Sequence, residues 1–488
     1  MFHRVCFSPI ILTTFFLIFS SQGIGAPLKT TGNTVKSPVS LENCIQMALK
    51  NNHRRPASRY AVEMAEAQHR QALAGYWPQV TAKGGFTRMD EPTNFLFPAK
   101  SFNVPATTVT VATPMGPMPI TTPAQEMQIP EQDVKIMDRD TYFASVEATW
   151  LLYDGGMRKG YREQAKSLVD MMKQESRRTD LEIVDSVTRL YYGAVLAAQL
   201  HSIAKDTLER MEATLNLTET MYKEGSGRVK KTDFLGNKVM VESLRSMVAL
   251  LEKNALIARA ALANTMGLPW NDSVTPAETA MPFTPFPDNL EHLVSSAYRF
   301  NPDWAKIEAG ISAAQGAIRT AVSEHYPKLA LTGELHKWWN DYNTGAVTDE
   351  NKEGWSVGIG IEIPIFSGFL TQNKVSEAKA RLAKIKEEQL LFKEGIGLQI
   401  RDTFLSLNAA EKSYQATLEA MNAAVENRDL NTRAYRHELV ETEDVIRAQL
   451  MESFMAAQHY KTRYDHLALR SRLKLLVGTE IQHKLIRQ

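Results

Sequence analysis

The sequence predicts a mainly helical chain written twice, each copy running helix, strand, loop, strand, long helix, turn and helix. Three observations predict it: an internal repeat, short alternating runs bounded by aromatic, proline and glycine residues, and proline-free helical patterns far longer than a globular domain requires. Laid over one another, SLENCIQMALKNN from Ser40 and NLEHLVSSAYRFN from Asn289 bring Leu41 to Leu290, Glu42 to Glu291, Ala48 to Ala297 and Asn52 to Asn301 without a gap. Further along, Ala65 meets Ala314, Pro78 meets Pro327, Gly155 meets Gly368, Tyr222 meets Tyr435, Asp233 meets Asp444 and Gly267 meets Gly478. The implied organisation is a leader at 1–26, a first repeat at 27–268, a Pro-rich linker at 269–288, a second repeat at 289–480 and a tail at 481–488.

An apolar content of 44% supports a packed interior and excludes disorder of the whole chain, while a net charge of +1 from 56 basic and 55 acidic residues gives no general attraction to nucleic acid. At the start, Arg4 precedes an apolar run from Val5 to Phe19 and small residues ending at Ala26, the pattern of a secretory signal. The run falls short of the roughly 20 residues of a spanning helix. Cys6 lies inside it rather than after it, so acylation is not indicated. Removing the leader leaves Cys44 alone, which excludes an intrachain disulfide and reads as helix packing.

The opening helices, Leu41 to Gly75 and Leu290 to Ser323, are rich in Ala, Glu, Gln and Met at helical spacing. Each stops at an aromatic-proline step, Trp77-Pro78 and Tyr326-Pro327, where the proline cannot continue the helix and biases its predecessor toward extended backbone. Alternating runs follow. Val80, Ala82, Gly84 and Phe86 oppose Thr81, Lys83 and Thr87, and Leu329, Leu331 and Leu335 oppose Thr332, Glu334 and His336. The return strands repeat the pattern: Tyr142 to Trp150 with Ser145, Glu147 and Thr149 on the polar face, and Trp355 to Ile363 with Ser356, Gly358, Gly360 and Glu362.

Each run matches a tilted membrane-spanning strand of about 9 to 11 residues. Aromatics near the strand ends (Trp77, Tyr326, Trp338, Trp339, Trp355, Phe366) suit interfacial girdles, and Lys83, Glu147, Glu334 and Glu362 suit a water-filled lumen. Four strands cannot close a barrel, and an open edge is not tolerated in hydrocarbon, so several chains must pool theirs; eight and twelve strands both satisfy the pattern. The Pro-rich stretch from Glu91 to Asp138 reads as a long loop outside the cell, against a short one from His336 to Gly354.

Asp154-Gly155-Gly156 and Ser367-Gly368 then turn the chain into helices from about Tyr161 to Tyr222 and Leu370 to Tyr435, roughly 90 to 100 Å long. Closing helices, about Thr232 to Met266 and Asp444 to Val477, are each near the length of an opening helix. An opening helix stacked on a closing helix beside each long one gives a uniform helical wall. Small residues such as Gly193, Ala194, Ala197, Ala198, Ala409 and Ala410 permit close contact within it.

Nothing marks an enzyme: there is no phosphate-binding glycine loop, CxxC or nucleophile elbow, and no catalytic residue, metal ligand or cofactor is expected. Among 11 histidines, His459 and His466 stand two turns apart on one helix and read as surface. The remaining competitor is a periplasmic coiled-coil adaptor, which shares the helical tips but has no use for amphipathic strands.

The paired openings, YWPQVTAKGGF with HYPKLALTGEL, WLLYDGG with IPIFSG, and the tips YKEGSGRVKKTDFL and YRHELVETEDVI make the chain resemble the TolC-type outer-membrane efflux protein family over essentially all of its mature length. The resemblance implies a homotrimer with a twelve-stranded β-barrel in the outer membrane of a Gram-negative bacterium, continued by an α-helical barrel into the periplasm. It further implies an adaptor and an inner-membrane pump of RND, ABC or MFS type as partners, with this subunit a passive, gated exit duct for efflux or type I secretion. By family pattern the gate involves Asp444, Tyr435 and Asp233, with Arg447 where a second aspartate is usual and Val440 where an arginine is usual. Pro302 has His53 as its counterpart, which implies a straighter helix in the first half.

The tips are also oppositely charged. Gly225, Gly227, Arg228, Lys230 and Lys231 mark one, and Glu438, Leu439, Val440, Glu441, Glu443 and Asp444 the other. These turns are the expected adaptor-docking surface, and their charges the expected latch of the mouth.

Overall fold

The computed structural model describes residues 38–136, 139–225, 227, 229–340 and 352–478. The leader, the tail, Arg228 and most of the second hairpin's loop lie outside them. The first half runs α1 (Leu41–Asn51), α2 (Arg54–Ala74), β1 (Gln79–Arg88), six short strands, β8 (Asp140–Tyr153), α3 (Met157–Lys223) and α4 (Lys231–Thr265). The second runs α5 (Leu290–Phe300), α6 (Pro302–Ser323), β9 (Lys328–Asn340), β10 (Glu353–Glu362), α7 (Leu370–Arg436) and α8 (Thr442–Val477). The helix–strand–strand–long helix–helix plan is therefore present in both halves.

The two long helices are each 67 residues, which at 1.5 Å per residue is about 100 Å. Their length is held by neighbours rather than by propensity. α3 packs against α2 and α4 and against α6 and α8, which in turn pack against α7. Ion pairs pin the upper half, Arg55 to Asp180 at 2.9 Å and Arg178 to Asp303 at 2.6 Å. α3 and α6 cross closely, since a Cβ on Gly160 would stand 2.7 Å from the Gly316 carbonyl oxygen.

The opening helices correct the sequence reading twice. Each is split in two, and the split falls at the same residue of both halves. Asn52 (ψ 123) and Asn301 (ψ 126) are extended and break the helix, so His53 does not straighten it. Asn52 Nδ2 donates to the Thr265 carbonyl and Asn301 Nδ2 to the Leu476 carbonyl, each at 2.8 Å, while each side-chain oxygen accepts from the next helix's first turn. Two short bonds anchor a closing helix to an opening one, and a proline is not needed. Beside each anchor sits a left-handed glycine: a Cβ on Gly267 would meet the Asn51 oxygen at 2.5 Å, and one on Gly478 the Phe300 oxygen at 2.5 Å.

Around these joints the N-terminal stretch and the linker form a belt. Val39 bridges Pro276, and the buried Tyr191 hydroxyl donates to the Val39 carbonyl at 3.1 Å while accepting the Ala277 and Glu278 amides. Cys44 is fully buried in this core, and burial pushes its thiol up to about 11, consistent with packing rather than chemistry. On the other side Phe283 stacks on Tyr414 at 3.7 Å and covers His466. His459 and His466 are both buried, not at the surface as expected: Phe283 of the linker covers His466, while Tyr414 and Thr417 of α7 flank His459.

The stretch expected as a loop is a further correction. β2 (Asn94–Phe97), β3 (Lys100–Val104), β4 (Thr107–Thr113), β5 (Gly116–Thr122), β6 (Gln125–Ile129) and β7 (Gln132–Lys135) pair β2 with β7, β3 with β6 and β4 with β5. This is one two-stranded ribbon. Pro98 and Pro130 interrupt it at one level and Pro105 and Pro123 at the next. A two-stranded ribbon leaves half its backbone N–H groups pointing outward, so it tolerates prolines that a central strand would not.

Candidate functional site

β1, β8, β9 and β10 form one antiparallel sheet in the order β1-β8-β9-β10, which leaves an edge of β1 and an edge of β10 unpaired. The central strands, at 14 and 13 residues, exceed the expected length. Register puts Thr81 beside Glu147, Glu147 beside Glu334 and Glu334 beside Ser356, so Lys83, Glu147, Glu334 and Glu362 share one face as expected for a lumen. Glu147 and Glu334, like charges directly opposite, are relieved by Lys83, whose Nζ donates to both Glu147 oxygens at 2.6 Å.

The other face carries Val80, Val146, Leu335, Val357, Ile359 and Ile361, all exposed. Among the described residues neither face packs on a helix, so this apolar surface has no partner there. Phe86, Tyr142, Trp339 and Trp355 rim it at the far end, Phe86 and Tyr142 with ring centroids 4.7 Å apart. Trp338 differs from the girdle reading: it faces the polar side and packs on Phe143 at 5.6 Å.

The sheet is coupled to the wall at the glycine turns. Asp154 accepts the Gly156 amide at 3.0 Å, the Arg158 amide at 2.8 Å and Arg158 Nε at 2.7 Å. Burial works to raise its pKa, but these donors outweigh it and hold the carboxyl below its usual range. In the second half Ser367 replaces Asp154, and Phe369 takes the left-handed φ of 65° that Gly156 supplies in the first.

At the opposite end the two hairpins meet. Asp233 and Asp444 are equivalent in the duplication, and both cap their own helices, Asp233 accepting the Lys230 amide at 2.9 Å and Asp444 the Glu441 amide at 3.3 Å. Arg447 pairs with Glu443 on the surface at 2.6 Å. Tyr435 is buried, and its hydroxyl bonds Thr218 at 2.8 Å and Thr442 at 2.9 Å, not Asp233. Glu438 stands where Gly225 stands in the first half and shares its left-handed backbone, at φ 57° against 75°. Gly227, Lys230, Lys231, Leu439 and Glu441 are exposed around the turns, and Val440 is half-buried.

Sequence reasoning missed the contacts that tie the second hairpin to α3. Thr218 meets Tyr435, Thr214 accepts from Gln449 Nε2 at 3.1 Å, and Arg210 pairs with Glu452 at 2.8 Å. Positions 210, 214 and 218 are one helical turn apart, so these are successive rungs on one stripe. Arg428 of α7 closes on the same Glu452 at 2.9 Å. The signal lay in the Arg/Thr/Thr spacing, but its partners are more than two hundred residues away.

Comparison with known proteins agrees with this architecture. The family described as outer membrane efflux protein matches residues 125–268 and 293–479, more than half of the chain. The pyoverdine export outer membrane protein OpmQ of Pseudomonas aeruginosa is 26% identical over 273 residues, 56% of this chain and 55% of that protein, so the match spans about half the relative's length. The probable efflux pump outer membrane protein TtgC of Pseudomonas putida is 23% identical over 81% of this chain and 74% of its own. Among solved structures, the Campylobacter jejuni CmeC outer membrane channel superposes with a TM-score of 0.72 at 14% identity, covering 92% of this chain and 88% of that one.

Proposed function

The chain belongs to the outer membrane efflux protein family, and on that premise we propose that it is the outer-membrane subunit of a tripartite export system, a passive duct rather than an enzyme. Three copies pool their sheets into a twelve-stranded barrel and their helical walls into a tunnel reaching through the periplasm. The observation that carries this reading is the sheet: four strands, two open edges, one exposed apolar face and one face lined by Lys83, Glu147, Glu334 and Glu362. A periplasmic adaptor has no use for such a surface. The wall is unfinished in the same sense, since Val239, Met247 and Ile257 on α4 and Leu391, Leu398 and Leu430 on α7 are exposed.

In this account the exposed turns around Gly225, Gly227, Lys230, Lys231, Glu438, Leu439 and Val440 dock an adaptor, which links the duct to an inner-membrane pump; Arg228, expected in the same set, lies outside the described residues. Asp233, Tyr435, Glu441, Glu443, Asp444 and Arg447 form the gate region. Opening swings the α7–α8 hairpin away from α3, which requires the rungs at 218, 214 and 210 to part. Purified mature protein in planar bilayers should conduct, and Glu452→Gln should raise the open fraction. A protein that fractionates with the soluble periplasm and never conducts would refute the reading.

A further inference from the structure

We propose that the ribbon formed by β2 to β7 packs against its counterparts from the neighbouring copies, making a trimeric stalk that stands over the outer mouth of the duct. The proposal rests on the channel reading above, because that reading brings three ribbons to one rim.

The ribbon is a direct continuation of the barrel strands. Between Arg88 and Asn94 two backbone bonds tie the sides together, the Met89 amide to the Arg139 carbonyl at 2.9 Å and the Ile136 amide to the Thr93 carbonyl at 2.7 Å. Register then holds from Asn94 opposite Lys135 to Thr113 opposite Gly116, about 65 Å at the usual rise per residue. β1 is also the edge strand at which a neighbouring copy must join the barrel, so each ribbon rises from the seam between subunits.

Its sequence has a period of its own. Phe95, Phe102 and Val109 recur every seventh position on the outgoing side, as do Ile120, Met127 and Val134 on the returning side, with Pro98 and Pro105, and Pro123 and Pro130, at the same interval. In the two outer segments one face is mainly apolar and the other polar: Phe102, Val104, Met127 and Ile129, flanked by Lys100 and Gln125, oppose Ser101, Asn103, Glu126 and Gln128. Val109, Val111, Met118 and Ile120 likewise oppose Thr108, Thr110, Pro119 and Thr121. An odd repeat would put successive apolar pairs on opposite sides of a flat ribbon. Two-stranded ribbons twist strongly, and a twist of half a turn per repeat would gather these pairs into a single stripe.

The apolar side of the ribbon is exposed in every segment, Phe95 by 53%, Met127 by 59% and Met118 by 64%. A second copy fits it better than a lipid surface does. No charged residue occurs from Ser101 to Gln125, so identical apolar faces approach without repulsion there, and at the base the three carboxylates Glu126, Glu131 and Asp133 outnumber Lys100 and Lys135 and disfavour anionic headgroups. Apolar stripes of this size on a projecting ribbon bury themselves against a partner, and the threefold arrangement supplies two at equal distance.

The test uses pulsed electron-spin distance measurements on the purified oligomer in lipid vesicles, labelled at Met118→Cys or Thr121→Cys in a Cys44→Ala background. A stalk gives a short, narrow distance between copies at 118 and a longer one at 121, and neither changes when lipopolysaccharide is added. Broad, long distances at both positions in an oligomer that still conducts would overturn the stalk and leave the channel intact. Distances that shorten only with lipopolysaccharide would identify the lipid surface as the occupant and overturn self-packing. A preparation that neither oligomerises nor conducts would sink the channel reading itself.

Discussion

The joint in the middle of the wall and the tip at its end are built from the same duplicated sequence, yet the two halves agree at the first and diverge at the second. At the joint both use an asparagine to break the opening helix, a side-chain amide to hold the closing helix, and a left-handed glycine against the backbone it touches. At the tip one half turns on Gly225 and the other on Glu438, and their charges differ in sign. The difference is one of contact. Backbone meets backbone at the joint and leaves no room for a side chain, whereas a Cβ on Gly225 meets nothing within 4 Å. The joint is fixed by packing, whereas the tip leaves room for a side chain.

The sharpest way to break that comparison is to add a side chain at the joint. Gly267→Val and Gly478→Val should each cost about 3 kcal/mol or more, since each combines a left-handed backbone with a 2.5 Å collision, and the loss should be similar in the two halves by thermal unfolding. At the tip the largest effect belongs to the rung at Glu452, mostly buried between Arg210 and Arg428. Glu452→Gln should cost about 2 kcal/mol and raise the open probability of single channels, leaving the joint unaffected.

Acid should act on the belt. Burial lowers the pKa of His466 more than the nearby Glu411 raises it, and burial also lowers that of His459. Both are neutral when folded and bind protons more readily when unfolded. Their contribution is therefore complete above about pH 6.5 and declines as pH falls from there toward the folded-state pKa. Thermal stability should drop between pH 7 and 5, and His466→Leu should flatten that slope. The smallest effect is at the turn: Glu438→Gly should stabilise by about 0.5 to 1 kcal/mol, because glycine adopts this backbone without strain, while the same residue change at the surface pair Arg447→Gly should lack that gain.

Much of this architecture was legible in the sequence because period and punctuation carry it. The duplication, the alternating strands ended by Trp77-Pro78 and Tyr326-Pro327, and the two long helices were all readable. The helix break at Asn52 was not, because its cause is a bond to Thr265 across the fold rather than a local breaker. The ribbon was hidden for the opposite reason: Pro98, Pro105, Pro123 and Pro130 look like loop signals, and only the pairing shows that they interrupt a ladder at matching levels. The rungs on α3 and the buried histidines depend on which helix face is covered, and a one-dimensional pattern does not state that.

The claim on which the rest depends is that one chain's sheet is a fragment, completed by copies of itself. Native mass spectrometry of the mature protein, released from detergent micelles, tests it most directly. Three chains per particle is the predicted result, and a folded single chain that stays soluble without detergent would contradict it.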